Sequence, residues 1–441
     1  MGKGSFSWNC LLLAAYMVMM ANGNAAGAGI AIMEQSPRWL GAANAGGAAA
    51  ADDAATVYFN PAGLTRLPGR QASAGINLLL PSAHFRNEGS TNLTGQPLSG
   101  GEGGDPGSSA VVPNLYYSHR VNDRVTLGIG LYSPFGLSTE YDSTWVGRYY
   151  AVNSELTTLN INPAIACRIT DKLSLGTGIS AQYLKTELSN AIDFGTIFAA
   201  LGAPGAAPQQ NDGFVTFKGD SWSWGYSVGG LYEFTESTRA GIVYRSRIDH
   251  TLTGSADFSA VPSPNPTGRF LDTTVRADVT LPDSISVSLW HNFSREIAAM
   301  ADITWTNWST IDELRIRFGN PVESDAVTTV KWRDTFRYSV GAVYMPEPWS
   351  FRAGVAYDES PVPDSSHRTP RVPDSDRIWI AFGIGYRMSG SITMDAAYVH
   401  LFVKDAEIRK TATGEDRLLG ALSGSYAGSV DIVGIGISWN F

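Results

Sequence analysis

From about Arg70 to its last residue the chain repeats one unit: a strand-like segment, a tight turn, a second strand-like segment and a longer polar loop. The short turns are Val121-Asn122-Asp123-Arg124, Thr170-Asp171-Lys172, Thr235-Glu236-Ser237, Ser294-Arg295-Glu296, Pro346-Glu347-Pro348 and Met388-Ser389-Gly390. Each joins two segments of alternating apolar residues, as a hairpin turn does. Between the pairs lie loops rich in Gly, Pro, Ser and Asp, at 87–109, 135–150, 194–212, 258–269, 319–327, 359–376 and 404–422. Short turns on one rim and long loops on the other are the asymmetry of outer-membrane barrels. Six turns pair twelve strands, and one further strand at each end predicts an all-β, transmembrane antiparallel β-barrel of about fourteen.

The two faces of the strands point the same way. Val125, Leu127, Ile129 and Leu131 alternate with Thr126, Gly128 and Gly130; Ile378, Ile380, Phe382, Ile384 and Tyr386 alternate with Ala381, Gly383, Gly385 and Arg387. A soluble sandwich alternates too, but a second face of small and polar residues with isolated Arg and Asp suits a lumen. Tyr132, Tyr183, Tyr232, Tyr244, Tyr344 and Tyr386 fall at strand ends, where an interfacial girdle sits. Composition alone divides evenly between such a barrel and a secreted β-helix or sandwich: charged residues are 17%, with 47 Gly, 12 Trp, 18 Tyr and 18 Phe. The final segment decides. Val433, Ile435, Ile437, Trp439 and Phe441 alternate with Gly434, Gly436, Ser438 and Asn440. An amphipathic strand ending on an aromatic residue is a common barrel ending, which makes Phe441 the expected contact for the barrel assembly machinery.

The first 25 residues read as a secretory signal, with Lys3, an apolar core of about ten residues from Leu11 to Met20, and small residues at Gly23-Asn24-Ala25. That core is too short to span a bilayer as a helix. The net charge of −9 argues against nucleic acid as a partner. Cys10 lies in the leader and Cys167 stands alone, the six His are scattered without ligand spacing, and no phosphate-binding glycine loop is present, so neither metal nor cofactor is expected. Gly225-Tyr226-Ser227-Val228-Gly229 matches G-x-S-x-G, but it sits inside an alternating strand rather than on the strand-to-helix elbow that this chemistry needs.

Residues 29–68, between leader and first strand, are rich in Ala and Gly and keep neither helical nor strand period. They read as a plug, giving a division into signal peptide (1–25), hatch (26–68) and barrel (69–441). Its residues resemble the hatch of the FadL family, outer-membrane transporters of long-chain fatty acids and other hydrophobic compounds. The resemblance rests on Glu34-Gln35-Ser36, Leu40-Gly41, Gly46, the Ala48 to Ala51 run, Asp52-Asp53 and Asn60-Pro61-Ala62-Gly63-Leu64. Beyond the hatch it rests on Pro134-Phe135-Gly136-Leu137-Ser138-Thr139-Glu140-Tyr141, Leu281-Pro282-Asp283-Ser284 and the terminal aromatic strand.

The resemblance implies a fourteen-stranded barrel closed by the hatch, in the outer membrane of a Gram-negative bacterium. A hydrophobic small molecule, fatty acid or aromatic hydrocarbon, is captured in a groove among the outer loops. It then leaves sideways into outer-membrane lipid where the third strand is kinked, by passive, ligand-gated diffusion. Carried onto this chain, the hatch elements are Glu34, Asp52, Asp53, Asn60, Pro61 and Ala62. The kink falls among Gly128, Gly130, Pro134 and Gly136, and the groove is built from Phe135, Leu137, Trp145, Tyr149 and Tyr150. Arg245, Arg247, Arg337, Arg352 and Arg387 are expected to face inward. There they either meet a carboxylate, for which Arg337 and Arg352 are the candidates, or pair with Asp302, Asp358, Asp395 or the hatch acids. No catalytic residue is expected, and the protein is expected to be a monomer. The loops 194–210 and 361–376 are particular to this chain and leave the substrate open. The competing readings are an outer-membrane lipid-acting hydrolase, hinted at by His250 or His291 near a serine, and a general porin, which lacks a hatch.

Overall fold

The computed structural model describes residues 29–441, except 264 and 266, so the expected leader lies outside the described residues. Fourteen antiparallel strands close into a barrel. They are β1 (Arg70–Asn87), β2 (Ala110–Arg120), β3 (Val125–Tyr132, resumed at Gly136–Glu140), β4 (Asn153–Arg168), β5 (Leu173–Asp193) and β6 (Asp212–Glu233). Then follow β7 (Thr238–Arg245 and Ile248–Ser259), β8 (Thr273–Leu281 and Ser284–Asn292), β9 (Ile297–Thr306 and Glu313–Phe318) and β10 (Ala326–Thr329 and Thr335–Tyr344). The last four are β11 (Trp349–Asp358), β12 (Arg377–Arg387), β13 (Ile392–Arg409) and β14 (Ser423–Asn440). The wall closes where β1 pairs with β14, from Gln71↔Asn440 to Asn87↔Gly424. Closure leaves no free edge, the condition for a sheet to cross a bilayer. Among the described residues no helix is long and apolar enough to cross a membrane.

Alternation sets what each face meets. Leu127, Ile129, Ile378, Ile384, Ile435 and Ile437 are exposed on the outside, whereas Thr126, Asn77, Ser288 and Asp302 are buried on the lumen side. The short turns end one rim and the long loops the other. Under those loops Phe85, Tyr141, Trp145, Tyr149, Ile408 and Tyr426 pack into a satellite core. The loop after β5 holds a short helix, α4 (Phe194–Ala200), that the Ala/Pro-rich sequence did not announce.

Several strands break at one height. In β3 the ladder with β2 ends at Leu115↔Leu131, and the upper piece, Gly136 to Glu140, pairs with β4 and meets the loop before β2 only at its top, through an isolated bridge from Thr139 to Gly107. The upper end of β2, from Ala110 to Asn114, therefore pairs with β1 but not with β3, and the wall is open beside it. The break spans Ser133, Pro134 and Phe135, bounded by Gly136. Gly128 and Gly130, expected at the kink, instead sit in regular register opposite Ala164 and Asn162. Glycine is needed there for space: a Cβ on Gly128 would lie 2.6 Å from Val57 Cγ2 of the hatch.

The hatch fills the lumen with short helices α1 (Pro37–Leu40), α2 (Gly47–Ala50) and α3 (Thr56–Phe59) and a 3₁₀ turn at Pro61–Arg66. Its Ala-rich composition follows from the fit, because small side chains let its backbone touch the wall. Cβ atoms at Gly241 and Gly354 would overlap the carbonyls of Ala48 and Ala42.

Candidate functional site

The hatch is seated by polar bonds to its own backbone. Asn60, fully buried, is the tie between three segments. Its Nδ2 donates to the carbonyls of Ala48 (2.7 Å) and of Gly230 on β6 (3.0 Å), and its Oδ1 accepts from Ala62 N (3.0 Å). Pro61 opens the 3₁₀ turn, where a missing N–H costs nothing. Asn-Pro-Ala thus supplies an amide with three partners, a residue that needs no donor, and a backbone that lies directly against Gly176.

Helices this short leave most of their carbonyls orphaned. Wall arginines meet them. Arg239 donates to Ala49 O (2.6 Å) and Ala50 O (2.7 Å) at the end of α2, with its guanidinium 4.6 Å from the Trp290 ring. Arg245 donates to Tyr58 O (2.5 Å) and Phe59 O (3.1 Å) at the end of α3. Arg337 donates to Ala43 O (2.9 Å), while Arg120 and Arg168 both reach Thr65 O (3.0 and 3.1 Å). A cation at a helix C-terminus also meets the negative end of its dipole. Of these, Arg245 and Arg337 were expected to face carboxylates, while Arg239, Arg120 and Arg168 carried no expectation; the residues they cap are plain Ala, Tyr, Phe and Thr, which carry no signal of it.

The remaining arginines divide differently. Arg352 is committed to Asp395 (2.8 Å), which also holds Arg38 of the hatch (3.1 Å); Arg38 reaches Asp52 as well (3.1 Å). Arg352 is therefore part of an ion-pair chain beneath α1, away from the cavities below. Arg247 and Arg387 are exposed rather than inward, the latter paired with Glu347 at a turn.

A second set of bonds joins the hatch to the broken strand. Ile32 N donates to Pro134 O and Gly136 N to Ile30 O (both 2.9 Å), so residues 30–32 pair with the break. Gln35 Nε2 donates to Ser133 O (2.7 Å), and Gln35 O accepts from Tyr116 (3.0 Å). Beside Gln35, burial pushes the Glu34 carboxyl up to about 7, against the pull of Arg337 and Arg377. Burial, and then Asp52, push Asp53 to about 7 as well. A carboxyl raised from 4.5 holds a proton that the unseated hatch has given up. Its contribution is complete below pH 4.5 and lost as pH rises through 7. Protease nicking of the hatch is therefore expected to be several-fold faster at pH 8 than at pH 5, with a shallower slope in Glu34→Gln.

Two cavities flank the break. The lower, about 100 Å³, lies between hatch and wall and is bordered by Tyr58, Tyr132, Phe135, Arg245, Asp302 and Arg337. The upper, about 140 Å³, lies toward the long loops and is almost wholly apolar, with Leu137, Phe217, Leu252, Ala277, Ile316 and Trp332 in its wall. A third, smaller cavity shares Leu137 and Val372 with it and reaches Gly107 and Thr139 beside the wall opening. Phe135 and Leu137, expected in the groove, border these cavities. Trp145, Tyr149 and Tyr150 do not: Trp145 and Tyr149 are buried in the satellite core, Tyr149 bonded to Asp212 (2.9 Å) and Tyr150 to Gly420 O (2.6 Å). Their aromatic character serves packing of the loops. Of the histidines flagged for hydrolysis, His291 bonds Thr238 (2.8 Å) on neighbouring strands. His250 bonds Ser221 (2.7 Å) and Gln182 (2.9 Å) deep in the wall. Among the described residues no group of His, Cys, Asp or Glu could hold a metal ion.

The comparisons match this architecture. The chain is 33% identical over 435 residues to a Neisseria meningitidis serogroup B protein assigned by its name to the outer membrane, covering 92% of this chain and 93% of that one. It is 30% identical over 408 residues to the long-chain fatty acid transport protein of Escherichia coli O6:H1, covering 88% and 90%. The crystal structure of a Pseudomonas aeruginosa FadL homologue superposes with a TM-score of 0.86 at 24% identity, covering 94% of this chain and all of that one. The model of the outer membrane protein transport protein family (OMPP1/FadL/TodX) matches residues 18–441, and the chain is a Gram-negative outer-membrane protein of that family.

Proposed function

We propose that the protein carries long-chain fatty acids or other hydrophobic compounds passively across the outer membrane, releasing them sideways through the opening between β2 and β3. The observation that carries this reading is an apolar cavity of about 140 Å³ lying directly above a broken strand whose break is bonded to the hatch. A ligand in the upper cavity meets Ile30 and Leu137, the two residues on either side of the bonds between hatch and break. Displacing residues 30–32 frees the break, and the way out leads past Leu137 and Thr139 to lipid. Burial supplies the affinity, at about 0.8 kcal/mol for each methylene taken from water. No chemistry is assigned to the site. The protein acts as a monomer, and Phe441 is its contact for barrel assembly.

The experiment is uptake of oleate, toluene and a hydrophilic sugar by a strain lacking other routes for them. The reading requires that the protein raise uptake of at least one apolar compound and leave the sugar unchanged. The two ligand classes separate at Arg337, whose Nε has no hydrogen-bond partner and which borders the lower cavity. If that arginine receives a carboxylate, Arg337→Met is expected to weaken oleate binding about tenfold and leave toluene binding within twofold.

A further inference from the structure

The wall between β6 and β7 is interrupted at the height of the β3 break. Pairing runs from Glu233↔Arg239 to Ser227↔Arg245, stops, and resumes at Asp220↔Thr253. Residues 221–226 and 246–252 lie outside the ladder. One backbone bond, from Ser246 N to Tyr226 O (2.9 Å), and three hydroxyls span it: Ser246 Oγ accepts from Tyr226 N (2.9 Å), Ser223 Oγ donates to Asp249 O (2.6 Å), and Ser221 Oγ meets His250 Nδ1 (2.7 Å). A lipid-facing wall tolerates irregular backbone only where something else satisfies its polar groups, and typically where it borders a cavity.

A cavity is there. The lower cavity is bordered by Tyr226, Ser227, Arg245, Ser246 and Ile248. Tyr226 also faces outward, 51% exposed. One residue that borders the lumen and meets lipid marks a wall one side chain thick. Gly225 carries no side chain to close it, and Ile248 lies across the space instead: a Cβ on Gly225 would be 2.7 Å from Ile248 Cγ1. Tyr226 is seven residues above Glu233 and Ser133 eight above Val125, so both interruptions stand about 20 Å above the short-turn rim, near the outer edge of the apolar band. Trp222 and Trp224, exposed at 58% and 72%, flank the slot on the lipid side.

We propose that this slot, closed by Ile248 over Gly225, is a second lateral portal through which apolar molecules pass between the lower cavity and outer-leaflet lipid. Opening it takes one rotamer change and the loss of three hydroxyl bonds and one backbone bond, with the flanking ladders intact. The proposal rests on the transport reading above, and its test separates the two. In a Cys167→Ser background, Ser221→Cys with His250→Cys, whose native side chains meet across the slot (2.7 Å), bridges it under oxidation. Oleate and toluene uptake are measured before and after reduction, with the folded barrel quantified by heat-modifiable gel mobility. Gly225→Phe, which fills the slot without a bridge, serves as the second variant. At least a twofold loss of uptake of either compound, restored by reductant in the bridged form and constitutive in Gly225→Phe, is expected. Full uptake in both variants at normal levels of folded protein overturns the portal and leaves the transport reading standing. No apolar uptake by the unaltered protein overturns both.

Discussion

Replacing Asn60 by Leu is expected to unseat the hatch while leaving the barrel assembled. The side chains are of similar size, so the loss is one of hydrogen bonding. The carbonyls of Ala48 and Gly230 and the amide of Ala62 lose their partner in a buried site. A buried polar group left unsatisfied costs about 1–3 kcal/mol, and three together correspond to at least a hundredfold rise in the unseated population. The ladders that close the wall do not use this side chain. Conductance in planar bilayers and sensitivity of cells to vancomycin, too large and polar for an intact outer membrane, read the result directly. Both are expected to rise sharply in Asn60→Leu, and an unchanged conductance at normal protein levels would show that the amide does not hold the seal.

Filling the upper cavity gives the second large effect. Ala277 is 7% exposed and lies in the cavity wall, in register with Leu252 and Ile316 on its neighbours. The cavity, at about 140 Å³, is close to the size that admits a benzene ring in a buried apolar site. An indole at this position occupies that space, so Ala277→Trp is expected to lower uptake of apolar compounds by tenfold or more. Ala277→Ser, which leaves the space open, is expected to stay within about threefold of the unaltered protein. Binding of a fluorescent fatty acid to purified barrel checks the same point without cells. Equal binding by the Trp variant would mean that ligand does not pass this level of the lumen.

Much of this architecture is written locally and was therefore legible. Strand number follows from six short turns, each set by a few polar residues, and the wall follows from period-two alternation as in Leu127 and Ile129 against Thr126 and Gly128. Both depend on near neighbours in sequence. The site is different because its parts meet across the lumen. Trp145 looked like a groove aromatic, yet it stacks on Tyr141 with ring centroids 4.1 Å apart, packs against Phe85 and is sealed beneath the loops. Gly128 looked like a weak point in its strand, but its partner is Val57, some seventy residues earlier, and only the docked hatch explains the missing side chain. The arginine caps were out of reach for a related reason. They bind main-chain carbonyls, and a carbonyl looks the same behind every residue name. The break in β3 was legible to within a few residues, since Pro134 marks it.

The arginines that grip the hatch do so one segment at a time: Arg337 at Ala43, Arg239 at Ala49 and Ala50, Arg245 at Tyr58 and Phe59, and Arg120 with Arg168 at Thr65. The strand break is bonded to a different piece, residues 30–35, ahead of all of these anchors. On the transport reading proposed above, the part that yields to cargo and the part that excludes water are separate machines on one short chain, like a trigger mounted on a bolted door. A bacterium built this way can take up greasy molecules continuously without admitting the polar toxins its envelope exists to keep out.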